Sequence, residues 1–182
     1  MGNRATLFRF RIELSDIDRG VYETLDFRAA LHPSETTRFL ATRVLAYALN
    51  FQEGIEFTPG GISDTEEPAL RVVTLDGRIN EWIEIGNPSA KKLHKATKSA
   101  SKVKIYAHKD PNHLMLELAK GDIHKASEIE VYFFSSELMQ GLEELIEKDN
   151  KWSLMHTEGS VTVTTPTKSV QGEVRQVREP RG

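Results

Sequence analysis

No cysteine occurs in the 182 residues, which removes disulfides, thiolate-held zinc or iron–sulfur clusters and cysteine nucleophiles from consideration. No apolar run approaches the roughly 20 residues of a membrane span, and Met1-Gly-Asn-Arg-Ala has no apolar leader segment. A soluble cytoplasmic protein with no membrane partner is expected. A dominant charge is also missing. The 24 Lys and Arg against 27 Asp and Glu leave a net −3, so attraction to a nucleic-acid backbone must come from a local patch. The six histidines never fall in a His-x-x-x-His pair beside an acid. Gly60-Gly61 neither follows a convincing strand nor opens a helix, and there is no P-loop and no Gly-x-Ser-x-Gly elbow. Dinucleotide enzymes, P-loop NTPases and serine hydrolases of that type drop out.

What is present suits one globular domain over residues 1–177, with 38% hydrophobic and 28% charged content and a short tail, 178–182, expected to be disordered. Residues 7–31 alternate as an antiparallel strand pair, with Phe8, Phe10, Ile12 and Leu14 on one side of the first strand and Arg9, Arg11 and Glu13 on the other. His32-Pro33-Ser34-Glu35 reads as a helix start, the helix running to about Asn50. After a Pro59-Gly60-Gly61 loop, two β-type runs flank Asp76-Gly77, the strongest short hairpin signal, which predicts a two-residue type I′ turn. Leu75 then faces Arg78, and Ala69 faces Glu84. Asn87-Pro88 opens a second helix to about Ser101, followed by a strand at Val103, Ile105 and Ala107 that is expected to run parallel to the one before the helix. A short helix over 113–120, a strand over 129–134, a helix from Ser135 or Ser136 and more antiparallel strands over 151–177 complete a mixed α/β (α+β) fold, a central mixed sheet flanked by helices.

The chemistry lies near the middle of the chain. Glu84 interrupts Trp82-Ile83-Glu84-Ile85, a run expected inside a sheet, where an ionised group is costly unless paired or metal-bound. Glu67, two residues beyond Ala69, falls on the same face as a diagonal neighbour, roughly 7–8 Å away. Two carboxylates so placed could share one hard cation, Mg²⁺ or Mn²⁺. Asp64 and Glu35 are further candidate ligands, Glu66 having the wrong parity. The plainer alternative is an ion pair between Glu84 and Lys95. Lys91, Lys95, Lys98 and Lys102 recur at intervals of four, three and four along the second helix, with Lys92 beside them. This stripe could neutralise a phosphodiester backbone, although such runs are more often solvated faces.

His32-Pro33-Ser34-Glu35-Thr36, Glu67-Pro68, Trp82-Ile83-Glu84-Ile85-Gly86 and Lys95-Ala96 resemble, in order and over essentially the whole chain, the YaeQ family of small bacterial proteins. The resemblance implies a variant of the PD-(D/E)xK, restriction-endonuclease-like fold, with its core at about 34–107, the 7–31 hairpin before it and additions at 113–177. It also implies a metal-dependent nuclease, or a protein that keeps the fold for nucleic-acid or protein binding. In such nucleases an acid at the start of one hairpin strand and an acid on the next hold Mg²⁺, and a lysine two residues later stabilises charge. Carried over, the catalytic set is Glu67, Glu84 and Lys95. Ser63 precedes Asp64, so no Pro-Asp pair exists, and Gly86 stands where the lysine belongs. Only a lysine from the following helix, Lys95 or Lys91, would restore the triad.

Overall fold

The computed structural model describes residues 4–59 and 66–178, in ten strands and four α-helices among those residues. Two compact units divide them: residues 1–49 with 134–175, and residues 50–133 with 176–182. The architecture is mixed α+β, and among the described residues no helix is long and apolar enough to cross a membrane.

In the first unit β1 (Thr6–Asp16) and β2 (Val21–Leu31) pair antiparallel along their full length, from Thr6 opposite Leu31 to Asp16 opposite Val21. Alternation explains the burial. Phe10, Ile12 and Leu14 are buried with Leu25 and Ala29, while Arg9 on the other face makes a two-pronged ion pair with Asp26 at 2.8 and 3.1 Å. Phe10 stacks on Phe27 at 5.5 Å, and Tyr47 of helix α1 (Thr37–Leu49) covers Phe27 at 4.6 Å. Strands β8 (Asp149–Thr157), β9 (Ser160–Thr164) and β10 (Ser169–Arg178) pair antiparallel in turn, as the sequence predicts. β8 also lies parallel to β1, with Trp152 edge-on to Phe10 at 5.2 Å. Local alternation does not name a strand's partner, and this pairing was not foreseen.

Helix α1 starts later than expected. Pro33 lies in a turn, and Thr36 is the cap, its Oγ1 accepting the Phe39 N–H at 3.1 Å. Glu35 is diverted from the helix end: one oxygen accepts the His32 N–H at 3.0 Å and the other lies 3.1 Å from buried Arg43. Helix α4 (Ser136–Leu145) packs its Leu138 on Gly172 of β10, so closely that a Cβ there would sit 2.5 Å from that of Leu138.

The second unit carries the strand order β7-β6-β5-β4-β3, with β3 (Ile55–Phe57), β4 (Leu70–Val73) and β5 (Ile79–Ile85) antiparallel. Strands β6 (Lys102–Ala107) and β7 (Glu130–Phe134) run parallel to β5, as a strand after a crossover helix should. Leu70 faces Ile83, which is the expected register one step inward from Ala69 and Glu84. The turn itself differs. Thr74, not Leu75, faces Arg78, and Gly77 alone takes a positive φ (+86°), giving a three-residue loop, Leu75-Asp76-Gly77. A type I′ turn needs positive φ at both central residues, which Asp76 does not adopt; one unpaired residue on β5, Asn80, restores the register.

Helix α2 (Ala90–Ser99) is capped by Ser89, whose Oγ accepts the Lys92 N–H at 3.2 Å. It therefore starts after Asn87-Pro88 and ends two residues before the expected Ser101. Leu93 and Ala96 enter a core with Trp82, Val103, Ile105 and Val131, to which α3 (Asn112–Ala119) adds Leu114 and Leu118. Burying each such leucine stabilises by roughly 1.5–3 kcal/mol. Arg178 closes β10, its guanidinium donating to the Ala126 and Ile129 carbonyls at 2.5 and 2.7 Å; the rest of the expected tail lies outside the described residues.

Candidate phosphate-binding site

Strand parity decides what meets what on β5. Trp82 and Glu84 point to the face that α2 covers, because their strand partners are Val103 and Ile105 of the shared core. Glu84 is 3% exposed. Its carboxylate accepts the Trp82 Nε1–H at 2.8 Å, lies 3.3 Å from the Lys92 ammonium, and is reached by the Ala69 backbone N–H. Burial still dominates, holding the Glu84 carboxyl above its ordinary range although Lys92 and Trp82 pull it down.

The ion pair given as the alternative, with Lys95, is formed by Lys92 instead, and helix geometry gives the reason. At about 100° per residue, Lys92 lies about 90° from the centre of the buried Leu93–Ala96–Thr97 stripe, while Lys95 lies about 150° away. A lysine at the edge of the stripe folds its stem back to the sheet; one on the far side cannot. Lys95 instead pairs with Glu66 at 2.8 Å on the surface, which holds the Glu66 carboxyl below its usual range. Glu67 lies 3.6 Å from Arg71, which also binds Glu56 at 2.6 Å. Glu35 belongs to the first unit with Arg43. Asp64 lies outside the described residues.

A metal triad of Glu67, Glu84 and Lys95 is therefore not what these side chains build. Each described candidate carboxylate, Glu35, Glu67 and Glu84, faces a cationic side chain. Among the described residues no three histidines or carboxylates gather as ligands. As arranged, the described carboxylates are held as ion-pair partners rather than gathered around one point. Gly86 also has a physical reason to replace the lysine of the nuclease pattern: its φ is +85° at the end of β5, where its N–H bonds the Tyr106 carbonyl at 2.8 Å. A side chain there would be strained.

The lysine stripe is shorter than the spacing predicts. Lys91, Lys95 and Lys98 are exposed on α2, but Lys102 begins β6 and shares a sheet face with Lys104 and Tyr106, away from the helix. That opposite face holds a polar network that no motif in the sequence marks. Lys104 lies 3.3 Å from buried Glu81 and donates to Asn50 at 2.8 Å; Asn50 donates to the Tyr106 hydroxyl at 2.8 Å. Tyr132 stacks on Tyr106 at 4.9 Å and donates to Glu130 at 2.6 Å, and burial with that carboxylate pushes its phenol upward. The alternation Lys102, Lys104, Tyr106 against Val103, Ile105, Ala107 was a legible signal for it.

Known proteins place the chain more narrowly. The family model described as YaeQ protein matches residues 1–174. YaeQ of Salmonella typhi is 32% identical over 108 residues and YaeQ of Escherichia coli K12 is 32% identical over 109, each alignment covering 59% of this chain. The chain thus spans 59% of the length of these curated relatives. The crystal structure of YaeQ from Xanthomonas axonopodis pv. citri superposes with a TM-score of 0.87 at 25% identity, covering 97% of this chain and 100% of that one. That from Pseudomonas syringae gives 0.84 at 30%, covering 98% of each. A family model spanning nearly every residue, and two structures of the same family that follow the backbone almost end to end, lead to one conclusion: this chain belongs to the YaeQ family.

Proposed function

We propose that this chain binds the phosphodiester backbone of nucleic acid without hydrolysing it, on a restriction-endonuclease-like core in which the acid of β5 serves the fold. The hairpin β4–β5, the crossover helix α2 and the parallel strand β6 support that reading of the core. The observation that carries the function is the clasp on Glu84. Its carboxylate is engaged by Trp82, Lys92 and the Ala69 backbone, while Lys91, Lys95 and Lys98 project from the exposed side of the same helix. Lysines so placed act as point charges on phosphates, with an affinity that falls as salt rises.

In the rival, hydrolytic reading, Glu67 and Glu84 hold Mg²⁺ or Mn²⁺ and Lys95 stabilises the developing charge. It requires Glu84 to exchange Lys92 for a metal ion. Incubation of labelled single- and double-stranded DNA and RNA with Mn²⁺, beside fluorescence anisotropy on the same strands, separates the two. Binding without cleavage is expected, with thermal stability unmoved by millimolar Mn²⁺. Cleavage that the Glu84→Gln variant abolishes would replace this proposal with the hydrolytic one, and no binding to any strand would leave a protein-interaction role.

A further inference from the structure

The β4–β5 hairpin loop, the last turn of α2 and Lys125 surround a cavity of about 440 Å³ within the second unit. Its charged lining has one sign. Arg78, Lys98 and Lys125 contribute three cations, and no carboxylate is among the described residues that line it. Several other cations of this unit find acids: Lys92 meets Glu84, Lys95 meets Glu66, Lys104 meets Glu81 and Arg71 meets Glu56. Around the cavity only Arg78 does so, donating its Nε–H to Asp76 at 2.8 Å and keeping the rest of its exposed fork available. Among the described residues no carboxylate pairs with the ammonium of Lys98 or Lys125.

Three like charges at one hollow repel each other, and an anion placed between them converts that repulsion into attraction. The end of α2 opposes an anion with roughly half a negative charge, but Lys98 in the last turn carries a full positive one. Arg78 offers the planar fork that matches phosphate oxygens, and Asn80 and Ser101 add uncharged donors at the wall. Lys125 holds a left-handed backbone (φ 51°) that side chains other than glycine rarely adopt, as residues at ligand sites often do. The volume lies within the range of small-ligand clefts and is far too small for a duplex.

We propose that this cavity binds a phosphomonoester: the phosphate of a free nucleotide or of a nucleic-acid strand end. The proposal rests on the strand-binding reading and deepens it, because Lys98 belongs to both the lysine face and the cavity.

The test measures binding of adenosine monophosphate, and of one short single strand carrying a 5′-phosphate, a 3′-phosphate or neither, by calorimetry and anisotropy. The proteins are the full chain, its Lys98→Gln/Lys125→Gln variant, and Lys91→Gln, a substitution outside the cavity. The expected result is that a phosphorylated probe binds at least about tenfold more tightly than its hydroxyl-ended counterpart. That preference disappears in the double variant and persists in Lys91→Gln. Preference for phosphorylated strands over the mononucleotide assigns the site to strand ends, and the reverse assigns it to free nucleotides. Equal binding of phosphorylated and unphosphorylated strands together with no binding of adenosine monophosphate, or binding of the phosphorylated probe that survives the double substitution unchanged, overturns the cavity proposal and leaves strand binding standing. Binding of adenosine monophosphate with no affinity for any strand does the opposite.

Discussion

At the scale of a residue, Glu84 shows how far a sequence leads. A carboxylate inside an apolar strand run is conspicuous because isolated buried charge is so costly, and the residue does sit 3% exposed with an ammonium beside it. Its partner was misread because spacing by four and three along a helix groups lysines with one another and says nothing about which faces the sheet. The buried neighbours Leu93 and Ala96 decide that, and they select Lys92. Removing one member of a buried pair strands the other, so Glu84→Ala should cost on the order of 3–5 kcal/mol in a urea denaturation experiment. The pH dependence has a definite sign. A carboxyl whose folded pKa lies above its ordinary 4.5 contributes stability that is complete below that value and lost as pH rises through the folded one. The wild-type advantage over Glu84→Gln should therefore shrink as pH rises above the ordinary 4.5, and an advantage that grows over that rise would contradict it. Asp26 and Glu66, both lowered by cationic neighbours, work in the opposite sense, and the difference between the two proteins cancels them.

At the scale of an element, alternation located nearly every strand, because a half-buried strand repeats every two residues whatever it pairs with. Ends and turns were less legible. Asp76-Gly77 marked the hairpin, yet the two-residue turn lost to a three-residue loop with a compensating extra residue at Asn80. Ser135 likewise precedes α4 without capping it through its side chain; its Oγ accepts the Glu173 N–H of β10 at 3.0 Å instead. That same contact makes Gly172 intolerant of a side chain, since a Cβ would come within 2.5 Å of the Leu138 Cβ and 2.6 Å of the Ser135 Oγ. Gly172→Ala should destabilise by about 1–3 kcal/mol, read as a lower urea midpoint with unchanged slope.

At the scale of the molecule, a net charge of −3 and a basic helix face predict an interaction governed by local rather than global charge. If Lys91 and Lys98 each neutralise one phosphate, replacing both with glutamine should lower the slope of log affinity against log salt by about 1.8 on duplex and about 1.4 on single strands. Titrations at several salt concentrations read this directly. An unchanged slope would place the backbone contacts elsewhere. The pairing of β1 with β8 was the largest feature the sequence left unannounced, and it bears on how the protein is made. Asp16 leaves the ribosome 133 positions ahead of Asp149 (149 − 16), a delay on the order of ten seconds at ordinary translation speeds. Throughout that interval one flank of the nascent β1–β2 ribbon offers unsatisfied amides and carbonyls to any passing strand. A chaperone that shields extended backbone during synthesis would thus act on this ribbon until the residues of β8 have emerged.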